Sequence, residues 1–306
     1  MKWPHGKRFA FTVFDDTDRG TKDNLPPVYD LLAGLGFRTT KSVWPVRGEG
    51  EAMIPGDTCE DPEYLEWVLS LQQQGFEIGF HNATYHTSLR GETLNAIDRF
   101  NSLFGHDPLT FANHASNGEA IYWGRARLSG LRAYAYDALR ALTRRPKFSG
   151  HDENSPLFWG DICRDRVRYV RNFVFSDINT LAQCPQMPYR DPDRPFVNLW
   201  FASTEGGTVD EFCDSIESVN QDRLEEEGGA CIMYTHFGKG FVENGKLHDR
   251  FARLMTELAA RDGWFPTTVE LLDYLRERGR GQEITQKERV GLENRWLRSV
   301  IKNKLG

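Results

Sequence analysis

Apolar positions along the chain fall into two kinds of run. Short, nearly unbroken stretches, "RFAFTVF" (8–14), "FEIGF" (76–80), "LTFANH" (109–114), "VNLWFAS" (197–203) and "GACIMYTHFG" (229–238), read as strands buried on both faces. "FRTTKSVWPV" (37–46) has strand character as well. Elsewhere apolar residues recur every three or four positions, the period of a helix packed on one side. In "DPEYLEWVLSLQQQG" (61–75), Asp61 stands at the N-cap, Pro62 at the first helical position, and Leu65, Val68, Leu69 and Leu71 on one face. "PPVYDLLAGLG" (26–36) and "GETLNAIDRFNSLFG" (91–105) are helices stopped by glycine.

The pattern continues with a helix-rich middle (118–145), a short run "KFSGH" and a helix within "DICRDRVRYVRN" (161–172). One long helix is expected over 209–228, and two more over 247–263 and 267–279. Strand-then-helix order predicts an α/β fold: a mostly parallel sheet closed, or nearly closed, into a barrel with helices outside. The barrel spans 1–280. A basic helical tail, 281–306, offers Val290, Leu292, Trp296, Leu297 and Val300 for packing on the body, with an oligomer contact or a membrane-surface anchor as the alternatives.

Function in such folds sits at the carboxyl ends of the strands. Asp15, Asp16, His81, His114, His151 and His236 each follow a predicted strand. Adjacent carboxylates behind a buried strand are costly unless a positive group neutralises them. A divalent metal does so, and a catalytic zinc site takes three carboxylate or imidazole ligands and keeps one position open. A further imidazole can then protonate a leaving group.

Composition narrows this reading. The 306 residues are 39% hydrophobic and 12% aromatic, enough for a large core, and a net charge of −6 argues against general nucleic-acid binding. The five cysteines are scattered without a C-x-x-C pair and read as reduced thiols. No secretory signal or membrane-spanning run is evident, so the expected location is cytoplasmic.

"FAFTVFDDTD", "GFEIGFHNATYH" and "CIMYTHFG" resemble, in order and spacing, motifs of the polysaccharide deacetylases, carbohydrate esterase family four. The resemblance spans roughly residues 8–275. It implies a distorted (β/α) barrel of about seven strands, a divalent metal (zinc), and removal of acyl groups from sugars. Residue by residue it implies Asp15 as catalytic base, Asp16, His81 and His86 as metal ligands, and His236 as general acid. The chain departs from the family in three places. Thr17 replaces a glycine and Asp18 adds a carboxylate; His86 lies five residues after His81 rather than four, leaving His114 as an alternative ligand. The arginine-containing strand that orients the base has no counterpart in "LTFANHASNG" (109–118).

His114, Asn117, Trp159 and Asp161 are candidate substrate-binding residues, with Trp123 and Trp200 as further stacking faces. Asp161 also reads as a helix cap and the tryptophans as core. The run "LTRRPK" (142–147) is a candidate phosphate or sugar-nucleotide contact, or a solvated loop. The expected function is deacetylation of a sugar or sugar conjugate, a nucleotide- or lipid-linked precursor of a surface polysaccharide. The rivals are a hydrolase of non-sugar amides on the same scaffold and a degenerate glycan-binding protein.

Overall fold

The computed structural model describes residues 2–50, 52–140 and 147–305. Seven parallel strands form a closed barrel: β1 (Phe9–Asp15), β2 (Thr40–Val43), β3 (Glu77–Phe80), β4 (Thr110–Phe111), β5 (Tyr169–Phe175), β6 (Leu199–Thr204) and β7 (Ala230–Thr235). Each pairs with the next, and β1 returns to β7 in register from Ala10↔Ala230 to Asp15↔Thr235. A hairpin, β8 (Val242–Glu243) and β9 (Lys246–Leu247), lies outside the barrel. A last strand, β10 (Gly263–Trp264), pairs with the amino end of β1, while β2 pairs with its carboxyl end. The expected α/β barrel and its seven strands are therefore present.

Burial on both faces explains the unbroken apolar runs. Every residue of β1 is buried, its side chains alternating between the barrel interior and the surrounding helices. The helix Pro62–Gln73 starts with proline in its first turn, as expected. Asp61 holds the N-cap position, but its carboxylate turns back to accept from Thr58 N at 2.9 Å instead of capping the helix.

Three elements differ from the sequence reading. The helix expected within 161–172 is Gly160–Arg166, and "YVRNFVF", for which no strand is predicted, is β5, because its apolar and β-branched residues pair with both β4 and β6. The single helix over 209–228 is two, Val209–Ser215 and Ser218–Glu226, broken at Ile216 and Glu217. "KFSGH" is not a strand, so His151 does not follow one; Ser149 N donates to Gly118 O in a loop. Residues 141–146, including most of "LTRRPK", lie outside the described residues.

The C-terminal helix Gln286–Leu305 packs on the barrel mouth. Leu292, Trp296 and Leu297 are buried, and the Trp296 ring lies 5.2 Å from Phe173 and 5.7 Å from Tyr136. A buried ionic clamp holds it there. Glu293, fully buried, accepts from Arg132 Nε at 2.6 Å and Ser129 N at 3.1 Å, with Arg194 Nη2 at 3.6 Å. Arg289 extends the clamp to Asp191 at 2.7 Å. Val290 and Val300 are only half-buried. All five cysteines are free and buried, and among the described residues no helix is long and apolar enough to cross a membrane.

Candidate active site

A cavity of about 210 Å³ opens at the carboxyl end of the barrel, where β1, β3, β5 and β7 deliver Asp16 and Asp18, His81, Arg171, and His236. Its walls include His114, Trp123, Arg127, Glu205, Tyr234 and, from the C-terminal helix, Trp296, Ser299 and Val300. The Arg127 guanidinium stacks between Trp123, at 3.6 Å, and Trp296, at 4.9 Å.

Strand alternation decides which aspartate faces the cavity. Phe14 and Asp16 both meet Arg171: the guanidinium lies 5.2 Å from the Phe14 ring and grips both carboxylate oxygens of Asp16, with Nη1 at 2.9 Å from Oδ1. Asp15, between them, points the other way. It is fully buried among Lys41 Nζ at 3.1 Å, Tyr29 Oη at 2.9 Å and Phe237 N at 2.8 Å. Burial raises the Asp15 carboxyl above its usual range despite Lys41. Asp15, expected as the base, is thus walled off from the cavity. Burial would also raise Asp16, but Arg171, with His81 and His236, outweighs it and holds that carboxyl low.

Asp18, the extra carboxylate of the sequence, is the hub of the cluster. Its Oδ1 lies 3.2 Å from His81 Nε2 and 3.5 Å from His114 Nε2; its Oδ2 lies 3.2 Å from His236 Nε2 and 3.4 Å from Lys239 Nζ. Burial opposes ionisation, yet hydrogen bonds from His236 and His81 and the charge around it keep Asp18 well below the usual carboxylate range. Ligand atoms of Asp18, His81 and His114 come within 4.8 Å of one another, and all three residues are buried.

His86, expected as a ligand, is not part of this group. Its Nδ1 lies 3.1 Å from Thr87 O, and its ring packs so closely on Gly48 that a Cβ there would lie 2.4 Å from Nε2. The fifth residue after His81 is carried away from the cavity, and His114, the alternative, lies beside Asp18 and His81.

The hydrogen bonds of the histidines report their tautomers. His114 Nδ1 lies 2.9 Å from Asn117 Oδ1, whose amide nitrogen donates to Thr84 O at 2.9 Å and to Glu119 Oε1 at 2.8 Å. Asn117 therefore turns its oxygen to the ring, and Nδ1 carries the proton. His114 Nε2 then aims a lone pair at a carboxylate oxygen, and it has no hydrogen-bond partner; nor has His81 Nδ1. Two acceptors face to face in a buried site are repulsive unless a cation lies between them, so this donor set fits a divalent metal. Burial lowers the His114 pKa, in keeping with a neutral ring.

His236 Nδ1 donates to Gly207 O at 2.8 Å, and its Nε2 faces Asp18 and Tyr234 Oη, the latter at 3.2 Å. Burial opposes its charged form, but Asp18 more than compensates and the pKa is raised. Asn117 is fully buried with its amide used within the protein. Trp159 is core, its Nε1 donating to Glu119 O at 2.7 Å, and Trp200 is buried as well. Asp161 pairs with Arg90 through two hydrogen bonds of 2.7 Å. Of the tryptophans considered, Trp123 reaches the cavity.

The sequence reading names Asp18 only as an added carboxylate and gives Arg171 and Glu119 no role. Arg171 was hidden in a segment read as helix; Asp18 was visible as a third carboxylate; no local pattern marked Glu119.

No protein-family model matches the chain, and no curated protein sequence matches it. Solved structures do. A probable polysaccharide deacetylase from Pseudomonas aeruginosa PAO1 superposes with a TM-score of 0.52 at 11% identity, covering 90% of this chain and 93% of the other. The allantoinase Puue superposes with a TM-score of 0.51 at 12% identity, covering 90% and 92%. The chain thus shares its barrel fold with these two structures, a barrel of the kind the three sequence motifs implied.

Proposed function

We propose that the protein is a metal-dependent hydrolase that removes an acyl group, acetyl above all, from a small sugar or sugar conjugate. The observation that carries this reading is the buried Asp18–His81–His114 group, in which a carboxylate oxygen and an imidazole lone pair face each other at 3.5 Å. These three residues would hold the metal, zinc by the chemistry of the donors. A bound zinc supplies a Lewis acid and a nucleophilic water near neutral pH.

The chain's own groups supply the proton transfers. Asp16, held ionised by Arg171, takes a proton at Oδ1, the oxygen nearest His81. Arg171 occupies both oxygens of that carboxylate and so fixes its plane. His236, its Nδ1 proton committed to Gly207 O, presents Nε2 to the departing amine or alcohol. These roles move the base from Asp15 to Asp16 and the metal carboxylate from Asp16 to Asp18.

Cavity size supports a small substrate. About 210 Å³ is below the usual range for drug-sized ligands, and Trp123, Trp296 and Val300 close one side. The end of a nucleotide- or lipid-linked sugar fits such a space better than the interior of a polymer. A small non-sugar amide is a second reading supported by the same volume, since the fold carries both a deacetylase and an allantoinase. The test is acyl release by zinc-loaded protein from acetylated monosaccharides, sugar nucleotides, oligomers and cyclic amides. Release from none of them, by wild-type protein carrying zinc, would sink the proposal.

A further inference from the structure

We propose that Glu119, which touches neither the cavity nor the ligand atoms of Asp18, His81 and His114 directly, is the positioning residue that makes His114 competent to bind metal. Glu119 is fully buried and has no cationic partner among the described ion pairs. Its Oε1 receives two side-chain amides, Asn117 Nδ2 at 2.8 Å and Asn82 Nδ2 at 3.0 Å, and its Oε2 receives Ser88 N at 3.1 Å.

Each amide is thereby forced to turn its oxygen towards His114. Asn117 Oδ1 meets the ring at Nδ1, and Asn82 Oδ1 accepts from the His114 backbone N at 2.7 Å. Asn82 adopts a left-handed conformation, φ 64°, immediately after His81. One carboxylate thus orders both amides, and the two amides fix the ring tautomer and the backbone of the same histidine. Ser116 Oγ, 3.0 Å from Nδ1, can serve either as donor or acceptor and does not by itself select a tautomer. The asparagines could not do so alone, because a free amide can rotate and present nitrogen instead of oxygen. Burial raises the Glu119 carboxyl to about 7, but both its oxygens receive N–H donors, and this fixed acceptor removes that freedom.

The inference rests on the hydrolase reading only for its consequence, since the tautomer exists without metal. Imidazole-nitrogen NMR of metal-free wild-type protein is expected to show His114 as the Nδ1–H tautomer. Asn117→Ala and Glu119→Gln are expected to shift it towards Nε2–H, and to weaken zinc binding, measured by chelator competition, by roughly 10- to 100-fold. Ser116→Ala is expected to change neither. An Nε2–H tautomer in the wild type would overturn the proposal; so would folded Asn117→Ala and Glu119→Gln proteins with an unchanged tautomer and zinc affinity. Wild-type protein that shows the Nδ1–H tautomer but binds no zinc would support the relay while removing the hydrolase.

Discussion

Arg171 grips both carboxylate oxygens of Asp16 across the barrel interior, from a strand 155 residues further along the chain. Neither residue could remain charged there alone, and together they place an ionised carboxylate, the base proposed above, at the edge of the cavity. Asp16→Asn is expected to lower turnover by roughly 10²- to 10⁴-fold with the fold retained, the usual cost of losing a general base. Asp15→Asn is expected to do the reverse. It leaves Lys41 buried without a counter-charge, costing roughly 3 kcal/mol of stability, while zinc affinity stays within about twofold of wild type. Denaturant titration beside steady-state kinetics separates the two aspartates, and a catalytic collapse confined to Asp15→Asn would reverse the assignment.

The metal set makes a similarly sharp contrast. Asp18→Asn and His114→Ala each remove one of the three proposed ligands and are expected to abolish stoichiometric zinc, measured by elemental analysis after dialysis. His86→Ala is expected to keep it, because His86 Nδ1 faces Thr87 O and its ring packs on Gly48. Zinc lost from His86→Ala but kept by His114→Ala would restore the ligand set that motif spacing suggested.

How much of this was legible in the sequence follows from which interactions are local. Buried parallel strands announce themselves as apolar runs, so the barrel and the positions of His81 and His236 could be read directly. The phase of β1 could not. With both faces buried, "FAFTVFD" carries no polar alternation to say whether Asp15 or Asp16 looks inward. β5 was obscured because "RDRVRYVRN" places charges among apolar residues at spacings that also suit a helix, and only pairing with β4 and β6 resolves it. The link from Glu119 to His114 runs through Asn82 and Asn117, a tertiary arrangement that no one-dimensional spacing encodes.

The C-terminal helix should behave as part of the cavity wall. Glu293 sits fully buried between Arg132 and Arg194 and fixes the helix that carries Trp296, Ser299 and Val300. Removing its carboxylate in Glu293→Ala takes the carboxylate partner from Arg132, while Arg194 keeps Asp191, and a stability loss of roughly 1.5–3 kcal/mol is expected. Hydrogen exchange should rise first over residues 286–301, and longer acylated oligomers should become better substrates relative to monosaccharides. Unchanged exchange in that helix would show that apolar packing, not the clamp, holds it.

Acid sensitivity should come in part from His151. Tyr122 N donates to His151 Nδ1 at 3.3 Å, which requires a lone pair on that nitrogen, and the Tyr122 ring packs 4.5 Å away. Burial pushes the imidazole down to about 4 from its ordinary 6.5, against the pull of Asp152. Between those two values the unfolded chain binds a proton that the folded chain refuses, so protonation favours unfolding. The contribution is fully retained above pH 6.5 and is lost as pH falls to about 4, a total of about 3 kcal/mol for this shift. Other groups also weaken the fold in acid, so the informative quantity is the difference between wild type and His151→Asn. Denaturant unfolding at closely spaced pH values should show the wild type losing stability more steeply than His151→Asn between about 6.5 and 4, with parallel curves above. Parallel curves throughout would mean that His151 takes up its proton in the folded protein as readily as in the unfolded chain.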